Sequence, residues 1–320
     1  MNVLITGAGG FIGSHLAERL VAMGHRVAGL DCLTDYYARA LKEMNVAAIQ
    51  RQGVAFLPLD LADDDLDEAV RGVEFVYHAA AQPGISATCP FETYARNNIT
   101  ATYRLIEAVR DSPTLRGFIY LSTSSVYGAV ATGSEETEPK PTSYYGVTKL
   151  AAEQLALAYS RDRKFPACSL RLFSVYGPRE RPDKLYPKLI CGLLEDKPIP
   201  LFEGSEAHRR SYTFVSDIID GLVAVLDHWP DCVGEIFNIG SDTSITTGEG
   251  IQIVEQIVGR PVRVDRRPRR AGDQKATHAN IAKARRVLGY NPTTTPREGL
   301  ARTVEWYRTH IVGRAHLHGR

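Results

Sequence analysis

Tyr145 and Lys149 stand four residues apart in S-Y-Y-G-V-T-K-L-A-A-E. On a helix, positions i and i+4 share a face. A phenol has a pKa near about 10 and is a poor base at neutral pH. A neighbouring ammonium and a cationic nicotinamide ring would favour the phenolate and lower that value. A phenolate so placed can take the proton of a substrate alcohol while hydride leaves the same carbon. Tyr144 is the adjacent candidate, but residue 148 is Thr and not Lys, so the spacing selects Tyr145. Y-x-x-x-K alone is a common accident on amphipathic helices, and its meaning depends on what accompanies it.

What accompanies it is a nucleotide-site pattern at the start of the chain. L-I-T-G-A-G-G-F-I-G-S-H-L-A-E-R-L carries Gly7, Gly10 and Gly13 between a strand-like run and a helix-like one. Glycine there lets the backbone turn tightly and approach a pyrophosphate, which then sits on the helix N-terminus. The second apolar run ends in Asp31. A carboxylate at that place accepts the two hydroxyls of an adenosine ribose and repels a 2′-phosphate, which favours NAD over NADP. Asp60 and Leu61, after the third run, are placed to hold the adenine edge. The bland alternative is a glycine turn followed by an unrelated Asp.

Between these two motifs lies F-I-Y-L-S-T-S-S-V-Y-G (118–128), an apolar run ending in four hydroxyls: Ser122, Thr123, Ser124 and Ser125. Read alone, it is a Ser/Thr-rich turn.

Positioning these groups requires alternating elements. Strands are predicted at Val3–Thr6, Arg26–Leu30, Ala55–Pro58, Phe75–His78, Phe118–Leu121, Cys168–Leu172 and Glu235–Ile239. Helices are predicted at Ser14–Met23, Asp64–Arg71, Tyr94–Arg110, Tyr144–Arg161 and Ile281–Leu288, the last ended by Gly289 and Pro292. Such alternation implies an α/β fold of the Rossmann type, a doubly wound parallel sheet covered by helices on both faces. The Pro-rich stretches 177–211 and 243–320 read as irregular, forming a smaller, discontinuous C-terminal substrate lobe. The expected division is therefore 1–176 for the NAD-binding domain, with a return at about 212–242, and 177–211 plus 243–320 for the nucleotide-sugar lobe.

Bulk properties narrow the class. The 320 residues carry 38 basic and 37 acidic side chains, a net charge of +1, which points to neither nucleic acid nor an anionic membrane as partner. The five scattered cysteines lack a C-x-x-C pair, so neither a disulfide framework nor a zinc site is indicated. The N-terminus reads as a strand rather than a signal peptide, and no apolar run is long enough to span a bilayer. A soluble cytoplasmic protein with no bound metal is expected. His78, at the end of a buried strand, reads as a hydrogen-bonded structural histidine.

T-G-A-G-G-F-I-G, Asp31, the A-A-A-Q of 79–82, S-T-S-S-V-Y-G and Y-Y-G-V-T-K together resemble the extended short-chain dehydrogenase/reductase family of nucleotide-sugar enzymes. The resemblance runs in order along nearly the whole chain and ends in R-R-A-G-D at 269–273. It implies that Thr123 hydrogen-bonds the sugar 4-OH beside a catalytic Tyr145, with Lys149 as the third catalytic residue. It also implies a cofactor set of Gly7, Gly10, Phe11, Ile12, Gly13, Asp31, Asp60, Leu61, Ala79, Ala80, Ala81, Asn98 and Ser122, together with Tyr145 and Lys149. Family members oxidise C4 of a hexose with bound NAD and differ in the fate of the resulting ketone. Those that eliminate water place an Asp-Glu pair after the Thr, and those that decarboxylate carry a Glu before V-Y-G. This chain has Ser124 and Ser125 there, which leaves epimerisation.

L-F-S-V-Y-G-P-R-E-R-P-D (172–183) resembles the corresponding segment of uronate-specific 4-epimerases. By that likeness Arg181 and Ser174 approach the C6 carboxylate, with Ser124 and Ser125 beside them. Arg179 lies close by in a similar setting and is the bystander to be told apart. At the nucleotide end Arg210 matches the diphosphate contact, and Arg270 and Asp273 match a phosphate and ribose pair. The loop at 83–88 lacks the Arg that such enzymes often carry. A UDP-glucose/galactose 4-epimerase, a decarboxylating relative and a catalytically silent NAD-binding sensor are the alternatives. Relatives pair the helices at 94–110 and 143–161 into a homodimer. Both carry apolar stripes (Ile99, Leu105, Ile106, Val109; Leu150, Leu155, Leu157), for which packing on the sheet is the other use.

Overall fold

The computed structural model describes residues 1–86, 88–268, 276–314 and 317. Seven strands form one parallel sheet: β1 (Asn2–Thr6), β2 (Arg26–Leu30), β3 (Ala55–Leu57), β4 (Phe75–His78), β5 (Gly117–Thr123), β6 (Ala167–Leu172) and β7 (Ile236–Ile239). Their order across the sheet is β7-β6-β5-β4-β1-β2-β3. The chain winds outward from β1 in both directions, so a crevice opens beyond the carboxyl ends of β1 and β4, the place where open α/β sheets bind ligands. Every residue of β4, β5 and β6 is buried, as expected of parallel strands covered on both faces. Pleat alternation divides their side chains between two core layers. Ile119 and Leu121 pack on one face, and Phe118 and Tyr120 on the other.

The strand that carries the hydroxyls runs further than its apolar run. Ser122 and Thr123 remain in β5, paired with Arg171 and Leu172 of β6, and only then does the chain tighten into a single turn at Ser124–Tyr127. Thr123 Oγ1 accepts the Ser125 N–H at 3.1 Å and caps that turn. Ladder pairing to β6 overrides the turn preference of the side chains.

Three other expectations are corrected. The helix at Asp64–Arg71 shrinks to Asp67–Val70. Asp60, Asp64 and Asp65 side chains instead accept the N–H groups of Ala62, Asp60 and Asp67, which holds this stretch in turns. A helix absent from the sequence reading, α2 (Arg39–Arg51), follows β2. Segments read as irregular contain regular helices at Leu185–Glu195, Thr247–Val258 and Pro296–His310. The last two begin with reciprocal capping boxes, Thr246 with Glu249 and Thr295 with Glu298. The expected helices at the start and middle of the chain appear as α1 (Phe11–Ala22) and α3 (Tyr144–Arg163). The one at Tyr94–Arg110 is continuous from Phe91 to Val109, with a widened stretch at Ala95–Thr100. Within it, Leu105, Ile106 and Val109 are consumed by the core, as is Leu157 of α3.

A small four-stranded sheet lies beside the main one and joins Ile245–Thr246, Arg209–Arg210, Ala276–Thr277 and Val130–Ala131. It ties the strand that carries Arg210, through Ala276–Thr277, to Val130–Ala131.

Behind the sheet's carboxyl end, α3 meets β6 through a buried ion pair. Arg171 donates to Glu153 at 2.6 and 3.0 Å, and its other nitrogen donates to Tyr127 Oη at 2.8 Å. Ser169 Oγ donates to the same carboxylate at 2.9 Å. Both charged side chains are essentially inaccessible. Glu153 lies one helical turn beyond Lys149, so this pair fixes the rotation of the helix that carries Tyr145 and Lys149. Glu153→Leu would strand the Arg171 charge in the core. Urea unfolding is expected to show a loss of about 3–5 kcal/mol, and a loss below about 1 kcal/mol would mean that the pair is replaceable.

Candidate active site

One cleft of about 660 Å³ opens over the carboxyl ends of the strands. Its floor is the turn after β1. Gly7 has φ +72°, and a Cβ there would lie 2.7 Å from the Ala80 nitrogen; at Gly13 a Cβ would lie 2.2 Å from the Gly7 oxygen. A side chain at either position would drive β1, α1 and the loop after β4 apart. Phe11, Ile12, Ala79, Ala80 and Ala81 line the same end.

Asp31 closes the far side of that turn. Its carboxylate accepts the Gly9 N–H at 3.0 Å and the Leu33 N–H at 2.8 Å. Burial pushes its pKa up, while these N–H groups and the Lys42 ammonium oppose the rise. Lys42, not foreseen from the sequence, is buried in the cleft wall and donates to the Thr34 carbonyl at 2.6 Å and its hydroxyl at 2.8 Å. The signal was available only once α2 was recognised. Asp60 and Leu61 also line the cleft, but the Asp60 carboxylate is engaged by Arg96 at 2.9 Å. Asn98 is placed differently from the expectation, behind the wall. Its side chain accepts the Gln82 N–H at 2.7 Å and donates to Thr148 at 3.0 Å, bracing the loop after β4, while Asn97 lines the cleft. His78 is the structural histidine expected, held between Thr6 and Thr102 hydroxyls at 2.7 and 2.8 Å.

Tyr145 and Lys149 share the cleft-facing side of α3. Burial raises the Tyr145 pKa. The groups that pull it back are the Thr123 hydroxyl and the Arg181 guanidinium. Lys149, the group expected to do so, is turned to β5. Its Nζ donates to the Leu121 carbonyl at 2.6 Å and lies 4.2 Å above the Tyr120 ring. Burial brings the Lys149 pKa down to about 7, with Glu153 opposing. The hydroxyl run lines the same cleft. Thr123 and Ser124 are buried, Ser125 is half-buried, and the Ser122 Oγ is buried without a protein partner.

The two arginines of the P-R-E-R-P-D run part company. Arg181 enters the cleft, 8% exposed, with its guanidinium 5.4 Å from the Tyr36 ring centre. A Cβ on Gly84 would come within 2.5 Å of its Nη2, so a glycine opposite makes room for it. Nη2 donates to Asp183 at 3.2 Å, and Nη1 is buried with no acceptor in the protein. Arg179 turns the other way, onto Glu18 of α1 at 2.7 Å. Ser174, with φ +34°, also faces the cleft, its Oγ 3.4 Å from that of Thr277. Arg210 lines the opposite end beside His208 and Tyr212. Arg270 and Asp273 lie outside the described residues.

A cleft that joins a glycine turn, the Asp31 carboxylate, a Tyr/Thr pair and an inward guanidinium has room and charge for a dinucleotide end to end with an acidic sugar nucleotide. Close packing at Gly7 and Gly13 leaves room only for hydrogen and brings the start of α1 up against the turn after β1, the glycine arrangement of a dinucleotide-binding turn.

Residues 3–240 match the NAD dependent epimerase/dehydratase family. The chain is 37% identical over 311 residues to an uncharacterized UDP-glucose epimerase of Bacillus subtilis, covering 96% of this chain and 98% of that one. It is 32% identical to UDP-glucuronate 4-epimerase 4 of Arabidopsis thaliana, over 98% of this chain and 76% of that one. The crystal structure of UDP-glucuronic acid 4-epimerase from Bacillus cereus, in complex with UDP-glucuronic acid and NAD, matches with a TM-score of 0.92 and 36% identity. That match covers 97% of this chain and 99% of the crystallised one.

Proposed function

The chain belongs to the NAD dependent epimerase/dehydratase family, and we propose that within it the protein is a UDP-glucuronate 4-epimerase that interconverts UDP-glucuronic and UDP-galacturonic acids. The observation that carries the substrate is Arg181, a buried guanidinium in the cleft with one nitrogen lacking a protein acceptor. A guanidinium fork suits a carboxylate in a two-point contact and has no such partner on a hydroxymethyl group.

When bound, NAD takes hydride from C4 and returns it to the opposite face of the ring. In this reading Tyr145 takes the 4-OH proton as hydride leaves and gives a proton back as it returns. Thr123, whose hydroxyl pulls the phenol's pKa down, orients the reacting hydroxyl and favours the phenolate. Lys149, fixed on Leu121, holds cofactor ribose at the base of the cleft. Gly7, Gly10 and Gly13 admit the pyrophosphate, and Asp31 takes the adenosine ribose hydroxyls. Arg210 faces the substrate diphosphate.

The intermediate sets a hazard. A 4-ketone with a carboxylate on C5 is a β-keto acid. It loses CO2 when the C5–C6 bond stands perpendicular to the carbonyl plane, because the bonding electrons then flow into the π-system. Arg181, Ser124, Ser125 and Ser174 hold the carboxylate so that this bond stays near the plane. Hydroxyls at 124 and 125 also provide no acid or base for elimination of water.

In this reading 1–176 and the 212–242 return carry the cofactor, and 177–211 with 243–320 the sugar nucleotide. A homodimer is supported by side chains that the core leaves outside. Phe91, Tyr103, Tyr144 and Val147 are more than 40% exposed on the two long helices, and Phe91 and Tyr144 touch edge to face. Five unpaired cysteines suit a cytoplasmic setting, and among the described residues no helix is long and apolar enough to cross a membrane.

The test of the reading is substrate choice. Purified protein given UDP-glucuronate and no added NAD is expected to form UDP-galacturonate. Turnover of UDP-glucose or UDP-galactose alone would reject the uronate assignment.

A further inference from the structure

Arg179 sits two residues before the cleft guanidinium and has its backbone in the left-handed region, φ +68°. A residue with a Cβ is held there at a free-energy cost unless its surroundings fix it. What fixes it is α1, the helix that begins at the glycine turn. Arg179 Nη2 donates to Glu18 Oε1 at 2.7 Å, and Nη1 lies 3.3 Å from His15 Nδ1. The pair is largely shielded, with side chains 14% and 24% exposed. Burial, aided by the Arg179 charge, takes the His15 pKa down to about 3, so the imidazole is neutral and its Nδ1 lone pair can accept. The loop between the two arginines is short and tied. Glu180 N–H donates to the Gly177 carbonyl at 3.2 Å, and the Glu180 carbonyl accepts from Tyr307 Oη at 3.3 Å. Lys184 N–H donates to the Arg181 carbonyl at 3.2 Å.

We propose that Arg179 is a positioning residue for substrate recognition: its grip on Glu18 and His15 sets the loop so that Arg181 reaches the sugar carboxylate. Acid recognition is thereby tied to the helix that presents the cofactor-binding turn. The proposal rests on the reading of Arg181 as the carboxylate contact. In the binding-competent arrangement, Arg179 points onto α1 and Arg181 into the cleft, and the two cannot exchange places without reversing the left-handed backbone at Arg179.

The experiment compares NAD-loaded wild type with Arg179→Gly, Arg179→Lys and Glu18→Ala. Glycine accepts φ +68° without strain, so the first variant removes the grip and not the backbone shape. Glu18→Ala removes the partner from the surface of α1 and decides the matter should the glycine variant fail to fold. The KM for UDP-glucuronate is expected to rise roughly tenfold in Arg179→Gly and Glu18→Ala, by misplacement of the contact. The UDP-pentose share of products should rise with it, and kcat should change less. Arg179→Lys, which can still pair with Glu18, is expected to recover most of the KM. Lower thermal stability with unchanged KM and unchanged pentose share would overturn the proposal, assigning the pair a merely structural role. Absence of uronate turnover in the wild type would instead remove the functional reading itself and this inference with it.

Discussion

Replacing Tyr145 with phenylalanine is expected to lower kcat for UDP-glucuronate by about 10²–10⁴-fold, the range for loss of a positioned acid–base group. The phenol is half-buried in the cleft and faces the Thr123 hydroxyl. Lys149 is turned to the Leu121 carbonyl at 2.6 Å, away from the reacting hydroxyl in the proposed reaction. Thr123 and Ser124 lack the basicity. Loss of one oxygen leaves the ring packed near Tyr94. Equilibrium binding of UDP-glucuronate should therefore stay within a few fold, and the loss should fall on kcat. Chromatographic assay of both UDP-uronates, with calorimetric binding, separates the two quantities. A variant within roughly tenfold of wild-type kcat would show that another group moves the proton.

Arg181→Ala should have the second-largest effect, in two parts. Losing a charge-assisted contact to the carboxylate costs about 1.5–3 kcal/mol, or roughly 10- to 150-fold in kcat/KM. The product mixture should also change. With the carboxylate released, the C5–C6 bond can swing perpendicular to the keto plane and break. CO2 leaves, the electron pair passes to the keto oxygen as an enolate, C5 takes up a proton, and return of the hydride to C4 completes the UDP-pentose. The UDP-pentose fraction should therefore rise as total turnover falls. Ser124, Ser125 and Ser174 remain in the cleft, which is why some epimerisation should persist. Product analysis in which the pentose fraction does not rise would mean that Arg181 binds the substrate without guarding the intermediate.

Much of this site was legible because its chemistry is local. The glycine turn, Asp31, the hydroxyl run and the Tyr/Lys pair each sit at the carboxyl end of a strand or the start of a helix, and parallel winding then brings such ends to one crevice. What the sequence hid was direction. Arg179 and Arg181 are near-equivalent in a polar run, and their opposite orientations come from the positive φ at Arg179 and the space opposite Gly84. Asn98 lies next to Asn97, and the path of the helix decides which of the two meets the cleft. Lys42 folds back on Thr34, eight residues earlier, and Arg171 meets Glu153 across the turn from α3 to β6, and neither contact follows a helix or strand period that would announce it. Two helices in the stretches read as irregular were readable after all, since T-T-G-E and T-P-R-E each spell a capping box. The turn preference of Ser and Thr misled in β5, where pairing with β6 carries the strand through Thr123.

In the proposed reaction, hydride leaves C4 of UDP-glucuronate and returns to the same carbon from a cofactor that never dissociates. UDP-glucuronate deuterated at C4, incubated with the protein in ordinary water with no added NAD and followed by NMR, tests this most directly. The predicted result is UDP-galacturonate that retains its deuterium at C4. Protium at C4 of the product, or no UDP-galacturonate at all, would contradict it.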